Sequence, residues 1–535
     1  MIERSTATAT TATRLGAAGW TIAAIALATV FAAFASGVVR NELDASHRIP
    51  DGAGYRFQAE VFALGRIAAP APPMPESFRP SLTVVRDGKW FAQYYPGFSL
   101  VLAAFVRLGV DWLVNPVGGA LLVLGTFLLG RRLFSNAAGL VGALLVASSP
   151  LTLALATTYL SHTWCAALLV FAGVLALGGR DTGTLPRIVA AGFLFGWAVA
   201  TRPYTALLLG WPFALIVLLR GLPFALAFAG GALPWVVALP AWNHYLVGDP
   251  WSSPYDLLFP HHRLGFHEIP ARRGILPDRV IDRYDLEVAR LVTLRQIESA
   301  RDTILPLAHG AAAVILPIAL LKQMRRAGIV LLLLPLCLLG GYFLYPGSMG
   351  RSATMFGPRY YSEAMPALLL AIAHAAVVLA ARGRMLGRAT LILAAVALGI
   401  FGHRHARDFA RSVDRRHSSL AISPNREPER FLASLDETPR LLFVDVSTMH
   451  RDSVLLANRP DLSRPNLFAV YEQPATNRAV LDAFPGREAW LVRWSPHGEP
   501  ERRPYVPEED ATGPPRVFPY TRAGRPGVFE AEALD

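Results

Sequence analysis

Residues 96–110 read Pro-Gly-Phe-Ser-Leu-Val-Leu-Ala-Ala-Phe-Val-Arg-Leu-Gly-Val, and whether this run crosses a membrane decides the side on which everything else lies. It is apolar but short, carries Arg107 in its interior, and follows the turn-prone Tyr94-Tyr95-Pro96-Gly97. Crossing ~30 Å of hydrocarbon takes about 20 residues of helix. Around it lie longer apolar runs near 15–39, 114–130, 137–157, 160–178, 187–202, 204–220, 222–241, 303–321, 327–346, 364–381 and 389–402. Basic residues punctuate their connections: Arg131-Arg132, Arg180 and Arg187, Arg220, Lys322 with Arg325 and Arg326, and Arg382, Arg384 and Arg388. If the N-terminus with Arg4 and Arg14 is cytoplasmic and 96–110 does not cross, all of them fall inside, where short loops concentrate Lys and Arg. If it crosses, all flip outward. The run is therefore expected to be an interfacial or re-entrant helix. The chain as a whole is expected to be an all-α polytopic membrane protein of about eleven transmembrane helices.

Composition agrees with that class. Of 535 residues, 53% are hydrophobic and 17% charged, and the mean hydropathy is +0.37, a balance foreign to soluble globular chains of this length. The net charge of +12 could suggest nucleic acid, but the excess sits in short inter-span connections, so no nucleic-acid partner is expected. The two cysteines, Cys165 and Cys337, both fall in apolar runs, which offers no disulfide framework, zinc site or thiol nucleophile. The Thr-rich start and the long run 15–39 read as an uncleaved first span. The expected location is the inner (cytoplasmic) membrane, multi-pass, with the N-terminus cytoplasmic and the C-terminus periplasmic or extracellular.

This topology puts the long connections 40–113 and 242–302, the shorter 347–363 and everything beyond about 404 on the outer face. Residues 1–403 then form the membrane domain. Residues 404–494 form a small soluble α/β domain, with strands expected at 441–446 and 489–494 and a helix at 477–484. Residues 495–535 are a Pro- and charge-rich tail. No internal repeat is visible.

Polar motifs gather on that outer side. Asp51 opens a segment, 55–66, with helical spacing of apolar residues, and reads either as an N-cap or as a reactive carboxylate at the membrane surface. Lys89, in Asp87-Gly88-Lys89-Trp90, reads as a phosphate contact or an interfacial anchor. Ser161-His162-Thr163 opens a span, and His162 reads as an interface residue or a site residue. Thr201-Arg202-Pro203-Tyr204 links two spans; an arginine there is costly without an anionic partner. Arg351 and Arg359, beside Tyr360 and Tyr361, suit a phosphate clamp, because guanidinium binds phosphate oxygens in pairs and keeps its charge. The alternative for them is pairing with Glu363 or lipid headgroups. His261-His262 could join Asp51 or Asp249 around a divalent metal, but adjacent histidines lack the helical spacing that makes such a site specific. No cofactor is expected to be required.

In these motifs, together with Gly130-Arg131-Arg132-Leu133-Phe134 and Gly248-Asp249-Pro250, the chain resembles the GT-C superfamily of integral-membrane glycosyltransferases, over roughly residues 1–405. The nearest branch is that of protein O-mannosyltransferases and lipid A aminoarabinose transferases. The resemblance implies a GT-C fold and inverting transfer of a sugar from a polyprenyl-phosphate donor to a hydroxyl of a glycan, lipid or protein acceptor on the outer face. It makes Asp51 the base, makes Arg202 and Arg359 the donor-phosphate residues, and gives Lys89, His162 and Arg351 supporting roles. The family's first loop usually carries an acidic pair, and here its second member is Gly52. Asp44 and Glu60, or Glu42, are the candidates for a second carboxylate. Two rival readings are a lipid or polysaccharide transporter or flippase, and a GT-C-like scaffold without catalysis.

Overall fold

The computed structural model describes residues 16–41, 50–177, 185–272, 276, 279–304, 326–350, 357–382, 427–446, 451–494 and 500–507. The helices that carry the fold are α1 (Ala17–Asn41), α2 (Pro50–Ala63), the turn α3 (Pro75–Phe78), α4 (Pro96–Arg107), α5 (Val114–Leu133), α6 (Asn136–Ser148), α7 (Pro150–Ala156), α8 (His162–Ala176), α9 (Leu185–Thr201), α10 (Pro203–Leu218) and α11 (Leu222–Val247). They are followed by α12 (Pro254–Leu258), α13 (Leu286–Thr303), α14 (Arg326–Phe343), and α15 (Met365–Arg382), which a 3-10 segment, Arg359–Ala364, precedes. The runs expected at 303–321 and 389–402 lie almost wholly outside the described residues.

Among the described residues, four helices are long and apolar enough to cross a membrane, or five with the bent pair α6 and α7 counted as one. That pair was expected as one straight span and instead turns by 65°. The cause is local. Pro150 opens α7, and the residue before a proline is driven out of the helical region, so Ser149 sits at ψ 125. Leu226, Val236 and Val237 on α11 and Trp211 and Leu215 on α10 are exposed, as apolar side chains facing lipid tails would be.

The deciding stretch is helix α4. Its 12 residues reach roughly 18 Å at 1.5 Å each, too short to cross. Its Pro96, Gly97, Phe98, Ser99 and Leu102 are buried, and Arg107 turns back to donate to the carbonyls of Ala63 and Phe62 at the end of α2. Gly97 is required by contact: a β-carbon there would collide with Thr201 Oγ1 and the Ala200 backbone. The Trp197 indole donates to the Gly97 carbonyl at 3.0 Å, so α4 is fastened to the C-terminal end of α9.

The connections between helices add small sheets. Strands β1 (Ala69–Pro70), β2 (Thr83–Arg86) and β3 (Lys89–Ala92) run in the order β1-β3-β2. Asp87 and Gly88, at φ 49 and 72, make the two-residue hairpin turn that Asp-Gly favours. Strands β4 (His267–Arg272) and β5 (Ile281–Tyr284) pair antiparallel.

Further on, α16 (Glu427–Ser434), β6 (Arg440–Val444), α17 (Arg451–Leu455), β7 (Asn466–Val470), α18 (Pro474–Ala483), β8 (Glu488–Arg493) and β9 (Glu501–Pro504) follow in order. The sheet order is β7-β6-β8-β9, with β6 parallel to both neighbours and β9 antiparallel to β8. The sheet therefore extends past residue 494, the expected start of the tail, to Pro504. One buried core joins Ala53, Phe57 and Val61 of α2 to Leu441, Phe443 and Leu467, so the C-terminal sheet is packed on α2.

Candidate active site

Three local breaks in helix bring the site together. Pro50 and Asp51 open α2. Helix α9 stops at Thr201, because Pro203 forces Arg202 into a non-helical φ −147, ψ 81 before starting α10 at its favoured first position. Gly357, at φ +93, turns the chain through a left-handed conformation open to glycine, and Pro358 then leads into the 3-10 segment bearing Arg359 and Glu363.

Asp51 lies in the first turn of α2, with its side chain 24% exposed. Its Oδ1 accepts from the Tyr94 hydroxyl at 2.9 Å and stands 3.8 Å from Arg359 Nη2. Tyr94 stacks on Tyr55 with centroids 4.0 Å apart, and the Tyr55 hydroxyl is 2.8 Å from Ser161 Oγ. Desolvation holds the Tyr94 hydroxyl well above its ordinary range, helped by the Asp51 charge. Tyr94 is therefore a fixed donor to the carboxylate and does not compete with it for protons.

Across the aromatic ring of Tyr360 stands the second group. The Arg202 guanidinium is 5.7 Å and that of Arg359 5.3 Å from the Tyr360 centroid. Arg202 Nε contacts Glu363 Oε1 at 2.8 Å, and His162 Nδ1 contacts the same oxygen at 3.0 Å. Ser362 Oγ lies 3.1 Å from Glu363 Oε2 and 2.6 Å from the Arg359 carbonyl, with one proton to share between them. The Glu363 side chain is 0% exposed. The terminal amines of Arg202 reach Ser161 Oγ and the Tyr342 hydroxyl only at 3.5 Å each.

Of the residues singled out from sequence, Asp51, His162, Arg202 and Arg359 come together. The remaining candidates divide. Lys89 donates to the Tyr245 carbonyl at 2.6 Å and lies over the Tyr245 ring, the anchoring alternative. Glu60 is bound into a different cluster, 3.4 Å from Arg56. Arg351 and Asp44, like Glu42, lie outside the described residues. Among the described residues no group of three or more His, Cys, Asp or Glu is arranged to hold a metal ion. His262 is 2.7 Å from the Tyr255 hydroxyl and stacks on Phe259.

Sequence reasoning missed the part played by Glu363, which it offered only as an alternative partner for Arg351 and Arg359. The signal was present: an arginine breaking the hairpin at 202 demands an anion, and Glu363 is that anion. Tyr55, Tyr94 and Ser161 carried no pattern that separates site residues from interfacial aromatics and hydroxyls.

No family model and no curated protein matches the chain. Solved structures do. ArnT from Cupriavidus metallidurans bound to undecaprenyl phosphate superposes with a TM-score of 0.56 at 14% identity, covering 90% of this chain and 94% of that one. Its apo state gives a TM-score of 0.53 over 90% and 93%. The archaeal oligosaccharyltransferase AglB from Archaeoglobus fulgidus gives 0.45 at 12% identity, over 89% of this chain and 69% of that one. At this identity the superposition speaks for the fold: the chain shares the membrane fold of the ArnT structures.

Proposed function

We propose that this protein is an inverting glycosyltransferase that moves a sugar from a polyprenyl-phosphate donor to an acceptor hydroxyl at the outer face of the cytoplasmic membrane. The reading includes about eleven spans, a cytoplasmic N-terminus and an outward C-terminal α/β domain. The observation that carries it is the juxtaposition of a partly accessible carboxylate, Asp51, with Arg359 at 3.8 Å and, across Tyr360, with Arg202. The choice of carrier class is supported by the undecaprenyl phosphate held in the ArnT structure.

The chemistry assigns each group a task. The acceptor oxygen attacks the anomeric carbon and gives its proton to Asp51. The bond from that carbon to the phosphate oxygen breaks, and its electron pair leaves with the carrier phosphate. The phosphate gains one negative charge in that step, and fixed guanidinium groups favour the state in which charge develops. Tyr94 orients the Asp51 carboxylate.

The test is to compare glycolipids and glycoproteins between a deletion strain and its parent. Loss of one sugar from one class of acceptor is expected. Unchanged glycans with a lipid or polysaccharide stranded on one side of the membrane would instead indicate a flippase.

A further inference from the structure

We infer that Glu363 is a positioning residue that sets the orientation of Arg202 toward the carrier phosphate. The inference rests on the transferase reading above. Glu363 Oε1 lies 2.8 Å from Arg202 Nε, an ion pair without a hydrogen bond, whereas both terminal amines make only long contacts, at 3.5 Å. A guanidinium whose Nε rests against a buried carboxylate carries its two terminal amines side by side on the far edge, the geometry that meets two phosphate oxygens. The holder is itself fixed: His162 Nδ1 lies 3.0 Å from the same Oε1 and Ser362 Oγ 3.1 Å from Oε2, with Glu363 fully buried. A carboxylate at Nδ1 selects the tautomer with the proton there, so His162 supports Glu363 and is not itself a phosphate ligand.

Position and charge make different demands, and substitutions separate them. Glu363→Gln keeps an acceptor oxygen at the same reach and removes the charge. Glu363→Asp keeps the charge and withdraws the oxygen by about one bond, ~1.5 Å. The measurement is binding of undecaprenyl phosphate to the full-length protein in nanodiscs, with monodispersity and thermal midpoint as folding controls. Expected are near wild-type affinity for Glu363→Gln and a loss of about tenfold or more for both Glu363→Asp and Arg202→Ala. Adding Glu363→Asp to Arg202→Ala should cost less than about twofold, because the arginine it orients is gone.

Equal losses in both backgrounds would make Glu363 merely structural and overturn the inference. So would retention by Asp with loss by Gln, which would assign it charge balance. If Gln does not fold, Asp and the double variant still decide between these outcomes. Failure of the wild-type protein to bind undecaprenyl phosphate would overturn the transferase reading itself, a distinct result.

Discussion

The two ends of α2 treat their carboxylates in opposite ways. At the N-terminal end Asp51 is 24% exposed and stands a loose 3.8 Å from Arg359. Roughly 13 Å along the helix, Glu60 joins Asp111 and Glu429 around a single guanidinium, Arg56, at 3.4, 3.4 and 2.6 Å. The second group ties α2 to α16 of the C-terminal segment, and the shared apolar core beneath it does the same. One end is therefore tied to its neighbours by several close carboxylates around one guanidinium, while the other keeps a carboxylate whose partners leave room for a proton. A helix clamped at one end can hold a reactive group still at the other without consuming it in structure.

The largest effect that would break this contrast is at Asp51. Asp51→Asn should lower transfer by about 100-fold or more, the scale of a lost general base, with the thermal midpoint unchanged. At the other end the opposite split is expected. Arg56→Ala should destabilise by about 3 kcal/mol, since removing one partner of a buried ion-pair group leaves like charges facing each other. Denaturation in detergent measures it, and the rate per folded molecule should stay near that of wild type. Arg359→Ala should weaken donor use by about tenfold, through loss of a charge-assisted contact, read as a change in donor KM and kcat with little change in stability.

The smallest effect is a pH slope. Burial pushes the Glu60 carboxyl up from 4.5 to about 7, against the opposing pull of Arg56. A raised acid favours the fold while protonated. Its contribution is therefore complete below the unfolded value near 4.5 and is lost as pH rises through about 7. Glu60→Gln should flatten stability against pH across that window, and a slope unchanged from wild type would remove Glu60 from the clamp.

What could be read beforehand follows from how local each signal is. The length and interior arginine of residues 96–110 announced a short helix, and 12 residues of it form one, because run length is a property of the run itself. The turn at Asp87-Gly88 is as local, set by the pair's own backbone preference. The break at Ser149-Pro150 was legible in principle, since proline acts on its neighbour, but the unbroken apolar run concealed it. Strand β7 and the amphipathic α13 were overlooked, the first because a five-residue apolar stretch has no period of its own. In the site, charge placement grouped Asp51, His162, Arg202 and Arg359 on one side. Which carboxylate serves which arginine depends on packing between residues more than 150 positions apart, as with Glu363 and Arg202. Lys89 shared the expected side but found its partner on α11.

The central claim is that Asp51 is the reacting carboxylate and Glu60 a structural one. It is tested most directly by returning wild type, Asp51→Asn and Glu60→Gln separately to a deletion strain and comparing glycolipid and glycoprotein profiles at matched membrane levels. The account expects wild type and Glu60→Gln to restore the missing sugar and Asp51→Asn to leave it missing. Restoration by Asp51→Asn would contradict it.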